Sequence, residues 1–223
     1  MDRLDPVDRD GLKHKIVDRL LTLYLYDRVS ENSKMWGDVK LQKLIFLSEK
    51  RMLEEQKRGF HYQFFRWDHG PMSRGVYEDH DFLKSNNLVD SESLEVSDRG
   101  ESILEEASDL FEENEEFITH IDFVTDEFGT CSGSDLKSVV YDLEVSPLTL
   151  GGSIKVEDIP EGVDIYFPIP DHLTKGVFSI DDKWLETLDI LFREGSRQAL
   201  DDAIERAQTN ESQSLELDNV ERA

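Results

Sequence analysis

The block from Phe60 to Tyr77, FHYQFFRWDHGPMSRGVY, constrains the fold more than any other part of the chain. Its first eight residues, 60–67, are rich in aromatic side chains and alternate with the period of a β-strand. Gly70 and Pro71 follow, and proline suits the first position of a helix because its φ is fixed and no N–H donor is needed there. We therefore expect an aromatic strand, a Gly-Pro turn and an amphipathic helix from Pro71 to Ser85.

Apolar residues at helical spacing predict further helices over residues 11–29, 38–57, 97–128 and 134–143, and from residue 182 onward. Ser97 and Asp181 are the expected caps of two of them. Residues 88–96 predict a short two-stranded ribbon, and residues 153–178, which contain several Pro and Gly, an extended connector. The predicted fold class is α+β and mostly α: a helical domain with a short aromatic strand and a β-ribbon, like a winged helix, plus a C-terminal helical extension.

Four segments follow from this pattern. We expect a flexible N-terminus over residues 1–10, one domain over 11–150, the connector with its C-terminal amphipathic helix over 151–208, and a disordered tail over 209–223. The apolar face of the last helix is predicted to contain Trp184, Leu188, Leu191, Phe192 and Leu200.

The net charge limits the classes of partner that the protein can bind. Fifty acidic residues face 25 basic ones, which gives a net charge of -25, so phosphate backbones and anionic lipids are repelled. Residues 90–127 contain 15 acidic residues against Arg99 alone, which indicates either a solvated helix face or a docking surface for a basic partner. The acidity fits adaptation to high salt or an ordinary acidic cytosolic protein, and the sequence leaves both open. With the single Cys131, no recognisable export signal and no long apolar run, we expect a cytoplasmic protein.

No residue pattern predicts an active site. His69 lies beside Asp68 and four residues before Ser73, but a triad needs an orienting carboxylate on the far ring nitrogen, which a sequence neighbour does not supply. The histidines and Cys131 lack metal-ligand spacing, and no phosphate-binding glycine motif occurs. We predict no enzyme activity, no metal and no cofactor, and expect Ser73 to cap the helix that follows it.

Three stretches together resemble the Panacea antitoxin domain, which includes GepA and SocA-type antitoxins. They are KLQKLIFL at residues 40–47, FFRWDHGPMSRGVYED at 64–79 and NNLVDSESLEVSDRGESIL at 86–104. A weaker match continues through CSGSDLKSVVYDLE at 131–144, with Tyr141 in place of a more usual His. The resemblance implies a non-catalytic protein that neutralises a toxin, often encoded by the adjacent gene, by direct binding. In SocA-type members it also implies delivery of the toxin to a protease.

We expect the partner to bind at the aromatic strand and the turn, and the acidic helix to attract basic residues of the partner. The predicted site residues are Phe64, Phe65, Trp67, His69, Gly70, Pro71, Ser73 and Tyr77.

One alternative is that other elements cover both faces of the strand. A second is a winged-helix-like DNA-binding regulator, since residues 34–58 have seven basic residues against four acidic. A third is dimerisation through the last helix. The sequence does not predict the oligomeric state.

Overall fold

The computed structural model describes residues 6–31, 33–35, 37–147, 152–166, 174–193 and 195. Within these residues the chain is mostly helical. The α-helices are Pro6–Ser30 (α1), Gly37–Glu54 (α2), Arg74–Ser85 (α3), Asp98–Glu106 (α4), Ser108–Glu113 (α5), Glu115–Phe128 (α6), Gly133–Tyr141 (α7) and Asp182–Phe192 (α8).

Short strands complete the fold: Lys57–Arg58 (β1), Phe64–Trp67 (β2), Gly70–Met72 (β3), Glu144–Val145 (β4), Ile154–Lys155 (β5), Asp164–Tyr166 (β6) and Gly176–Val177 (β7). The strand β2 lies in the middle of an antiparallel sheet between β3 and β6. The strand β1 pairs in parallel with β7, and β4 pairs with β5. The predicted class, α+β and mostly α, is confirmed at this level.

The helix α2 lies at the centre of the molecule. It packs against α6, α7, β1 and β3, and every residue from Lys40 to Glu49 is buried. The predicted apolar residues Leu41, Leu44 and Ile45 are among them, but so are polar ones that an amphipathic pattern assigns to the surface. Because α2 has neighbours on all sides, its polar side chains must find partners inside the protein.

The aromatic strand and the helix after it differ from the expectation. Only residues 64–67 form a strand, and Pro71 lies in β3, opposite Arg66, instead of beginning a helix. Because β3 is an edge strand, the missing N–H of Pro71 is tolerated. The helix α3 begins at Arg74.

The long acidic helix predicted over 97–128 is three helices, α4, α5 and α6. Asn114 lies at the second break with φ -116° and ψ 25°. Its buried side-chain amide donates to the backbone oxygens of Leu110 and Ser179 and accepts from the Ser179 N–H. Asn114 therefore joins this arm to the segment before α8. The caps predicted at Ser97 and Asp181 are confirmed.

The predicted ribbon at 88–96 is reduced to one antiparallel bridge between Val89 and Val96. The connector is not extended throughout, because Val156–Asp158 form one turn of 3-10 helix. Its strands β6 and β7 add to the two sheets formed by β2 and β1. The helix α1 begins at Pro6, which is earlier than predicted. The tail from residue 209 and Leu200 lie outside the described residues.

The helix α8 packs on α1 and α4. Leu188, Leu191 and Phe192 are buried as predicted, Trp184 is partly buried, and Leu185 joins them. Because its apolar face is covered within the chain, the structure gives no support to dimerisation through this helix. Among the residues that the structure describes, no helix is long and apolar enough to cross a membrane.

Candidate functional site

The hairpin formed by β2 and β3 is the scaffold of the site. Trp67 pairs with Gly70, so Asp68 and His69 form a two-residue turn. Gly70 has φ +96°, and a Cβ built on it would lie 2.9 Å from the ring of Tyr141. Glycine is therefore required here for the backbone conformation and for the close approach of that ring.

Successive side chains of β2 point to opposite faces of the sheet. Phe64 is fully buried and packs edge-to-face on Phe46, with ring centroids 5.3 Å apart. Phe60 and Tyr62, in the extended segment before β2, are buried as well. This inner face of the hairpin is thus part of the core.

Phe65 and Trp67 form the outer face of the hairpin. Phe65 is partly exposed and Trp67 is 50% exposed, the most exposed large hydrophobic side chain among the described residues. Their rings lie edge-to-face with centroids 6.1 Å apart. One of the two faces of the strand is therefore covered within the chain and the other is open.

Ser73 does not cap α3 as predicted, because its side chain makes no capping hydrogen bond. Gln42, from α2, holds it through the backbone instead. The Ser73 N–H donates to Gln42 Oε1 at 2.9 Å, and Gln42 Nε2 donates to the Ser73 oxygen at 2.8 Å. This pair of hydrogen bonds fixes the junction between β3 and α3 against the central helix.

A groove of about 590 Å³ lies beside the outer face. It runs between the N-terminal part of α1, the segment 61–67, the first turns of α3 and the loop before β6. Its lining residues are Lys15, Asp18, His61, Tyr62, Gln63, Phe65, Trp67, Ser73, Arg74, Gly75, Glu78, Asp79, Gly162 and Asp164.

Buried polar groups form one end of the groove floor. Asp18 accepts hydrogen bonds from the His61 N–H at 2.8 Å and lies 3.0 Å from His61 Nδ1. The ring of His14 stacks on that of His61, with centroids 3.9 Å apart. Burial raises the pKa of Asp18 to about 8, against the opposing effects of the His61 N–H and nearby cations.

A second polar chain lies next to it. Arg19 Nε donates to Asp79 Oδ1 at 2.7 Å, and the Tyr62 hydroxyl donates to Asp79 Oδ2 at 3.1 Å. Burial raises the pKa of Asp79, although the hydrogen bond from Arg19 opposes this. These carboxyls are engaged in holding α1, α3 and the aromatic segment together. Among the described residues, no group of His, Cys, Asp and Glu is arranged to hold a metal ion.

The eight predicted site residues do not form one surface in the structure. It brings Phe65, Trp67 and Ser73 to the groove, whereas Phe64, Gly70 and Pro71 are buried. His69 is exposed at the hairpin turn, where its Nε2 lies 3.7 Å from Asp68 Oδ2. Tyr77 lies partly buried on α3.

Sequence reasoning missed Gln42 and the polar residues of the groove. Gln42 lies inside the KLQKLIFL helix, and its position between two lysines gave no sign of burial. Asp18 and His61 are 43 residues apart, so only the fold brings them into contact. One local feature could have indicated these polar contacts: α1 contains many ionisable residues between its apolar positions.

Comparison with known protein families supplies the assignment. Residues 41–145 match the model of the family described as antitoxin SocA-like, Panacea domain. This segment of the chain is therefore similar to the Panacea domain family. No curated protein and no solved structure matches the chain. The resemblance read from the three sequence stretches is therefore confirmed, and the match points to an antitoxin-type role.

The Panacea domain match extends from α2 to β4 and includes the hairpin and α3. It does not include α1 or β6, which supply Lys15, Asp18 and Asp164 to the groove. The outer aromatic face thus lies within the segment that matches the Panacea family, while part of the groove wall comes from segments that flank it.

Proposed function

We propose that this chain is a cytoplasmic, non-catalytic antitoxin that neutralises a protein toxin by direct binding. The observation that carries the proposal is the open outer face of the hairpin, with Phe65 and Trp67, inside the segment that matches the Panacea family. An exposed tryptophan beside a groove is typical of a protein interaction site. Burial of each ring by a partner is worth about 1.5–3 kcal/mol, so these two side chains are the expected hot spots.

The acidic arm supports the same proposal. Most acidic side chains of α4, α5 and α6 are exposed to solvent, namely Asp98, Glu101, Glu105, Glu106, Asp109, Glu112, Glu113, Glu115, Glu116, Asp126 and Glu127. Together with the net charge of -25, they attract a basic partner over a distance and raise its association rate. A toxin whose own target is a nucleic acid or a nucleotide has the matching charge.

The structure offers no observation in favour of a DNA-binding regulator. The seven basic residues of 34–58 do not form a free cationic face. Lys40, Lys43 and Arg58 are buried, and Arg51 covers the ring of Phe123. The remaining three pair with carboxylates: Lys34 with Glu95, Lys50 with Glu54, and Lys57 with Glu55 and Glu116.

Co-expression with the product of the adjacent gene tests the proposal. We expect that product to arrest growth when expressed alone, to be harmless when this chain is present, and to co-purify with it. If the adjacent product is harmless alone and does not co-purify, the toxin-binding proposal fails. A gel shift with the DNA upstream of the gene, at low salt, is expected to show no complex.

A further inference from the structure

Three cations converge on the inner side of the hairpin, in a chain that is otherwise strongly acidic. Lys43 comes from α2, Arg66 from β2 and Lys137 from α7, and they surround the ring of Tyr141. The Arg66 Cζ lies 4.8 Å from the centroid of that ring and the Lys137 Nζ lies 5.2 Å from it. Three separate elements thus supply positive charge to one place.

No carboxylate among the described residues pairs with Lys43, Arg66 or Lys137. The Lys43 Nζ donates to the Pro71 oxygen at 2.8 Å, and the Lys137 Nζ is 3.5 Å from the Asp68 oxygen. The nearest acidic neighbour of Tyr141 in sequence, Asp142, pairs instead with Lys155 at 2.9 Å. The charge of the cluster is therefore not neutralised within this part of the protein.

The second feature of this cluster is that Arg66 has buried donors without an acceptor in the described part of the chain. Its Nε and Nη1 atoms are buried and have no hydrogen-bond partner among the described residues. A buried donor without an acceptor destabilises the folded protein, and more so when it is charged. Lys40, one helical turn before Lys43, shows the usual solution, since its Nζ donates to the Ser33 hydroxyl and to two backbone oxygens.

The cations are close enough to perturb one another. Burial, followed by repulsion from Arg66 and Lys137, lowers the pKa of Lys43 to about 8. An anion bound between them would offset this mutual repulsion. Arg66 and Lys137 are both partly exposed, so the cluster can be reached from solvent.

We propose that Lys43, Arg66 and Lys137 form a binding site for a phosphate group, beside the Tyr141 ring that holds the Arg66 and Lys137 cations in place. Arginine and lysine together are the usual protein ligands of phosphate, which accepts several charge-assisted hydrogen bonds at once. A dianion balances three cations better than a carboxylate does. The site lies on the side of β2 opposite Phe65 and Trp67, so it is independent of the proposed toxin-binding face.

Titration of the full chain with inorganic phosphate tests the site. Backbone amide signals are followed by NMR, with sodium chloride adjusted so that the ionic strength stays constant. We expect saturable shifts at Arg66, Lys137 and Tyr141 and no shift at Arg74, which lines the groove on the other face. Acetate at the same ionic strength is expected to bind at least about 10-fold more weakly, because it has one negative charge.

Two variants and one control locate the binding. Arg66→Gln is expected to weaken phosphate binding by about 10- to 100-fold, because it removes the charged donors. Lys137→Gln, at a partly exposed position that does not threaten folding, is expected to weaken it by about 3- to 10-fold. Arg74→Gln removes an exposed arginine from the groove on the other face and is expected to change nothing.

Adenosine monophosphate and adenosine distinguish the source of the phosphate. Tighter binding of the monophosphate than of inorganic phosphate indicates a nucleotide ligand, and equal binding indicates the free anion. The proposal is overturned if phosphate produces no saturable shifts beyond those of chloride or acetate. It is also overturned if Lys137→Gln binds phosphate as wild type does, or if adenosine shifts the same signals as strongly as its monophosphate.

Discussion

The inner and outer sides of the β2–β3 hairpin contain neighbouring residues of one sequence motif, yet they differ in what those residues contact. On the inner side, Phe64 is fully buried, Gly70 touches Tyr141 and the Pro71 oxygen accepts from Lys43. On the outer side, Phe65 and Trp67 contact each other and border an open groove. Residues that form a single motif in the sequence therefore serve two purposes: the inner ones hold the hairpin in place, and the outer ones are available to a partner.

The largest expected effect is a loss of stability from a substitution on the inner side of the hairpin. Phe64→Ala removes a fully buried ring from its contact with Phe46 and leaves a cavity. We expect the free energy of unfolding to fall by about 3–5 kcal/mol. Phe65→Ala is the matched control one residue away and should cost about 1 kcal/mol or less. Equal losses for the two variants in urea unfolding would contradict the distinction between the two sides.

The second prediction concerns the attachment of the hairpin to α2. Gln42→Ala removes both hydrogen bonds to the Ser73 backbone and leaves the buried Ser73 N–H without a partner. We expect a loss of about 2–4 kcal/mol in the free energy of unfolding. Gln63→Ala, which removes an exposed hydrogen bond to Asp164, should have little effect in the same measurement. A loss of similar size at Gln63 would show that Gln42 has no special role.

Several of these features follow from local sequence and others do not. The caps at Ser97 and Asp181 were predictable because a capping side chain acts on N–H groups within its own turn. The alternation of Phe64 and Phe65 predicted two faces of the strand, but not which one is covered, since that depends on α2. The pattern of α2 itself was misleading, because Gln42 and Lys43 are buried by elements distant in sequence. Long-range contacts of this kind leave no local periodicity.

The third prediction uses a buried carboxyl group on α2, the helix against which the inner side of the hairpin packs. Glu49 is buried, and both its carboxylate oxygens lack a hydrogen-bond partner among the described residues. Burial, followed by repulsion from Asp18, raises the pKa of Glu49 well above its usual value of 4.5. Between these two pKa values the folded chain holds a proton that the unfolded chain has released, so this group makes stability fall as pH rises.

Glu49→Gln removes that dependence while preserving the shape of the protonated side chain. We expect nearly equal stability of wild type and variant at pH 5, and a variant more stable by about 1–3 kcal/mol at pH 8. The check is denaturant unfolding of both proteins at the two pH values. The difference between them cancels the contributions of titrating groups that do not interact with Glu49. A variant that loses stability at pH 8 relative to wild type would contradict a protonated Glu49.

The smallest expected effect on the fold is at Trp67, and there the effect on binding is expected to be large. Because Trp67 is half exposed, Trp67→Ala should change the free energy of unfolding by about 1 kcal/mol or less. Phe123 is a suitable control, since it is the other strongly exposed aromatic ring among the described residues, at 42%, and Arg51 stacks on it at 3.7 Å. Phe123→Ala thus removes a similar ring from α6 and leaves the acidic side chains of that helix, which attract the partner, unchanged.

Co-expression of the adjacent gene product with wild type, Trp67→Ala and Phe123→Ala tests the central claim most directly, with growth and co-purification measured together. The account predicts that Trp67→Ala remains folded but loses rescue and weakens co-purification by at least about 10-fold, as expected for a hot spot. It predicts that Phe123→Ala protects as wild type does. Full rescue and undiminished co-purification by Trp67→Ala would contradict the assignment of the outer face as the toxin-binding surface.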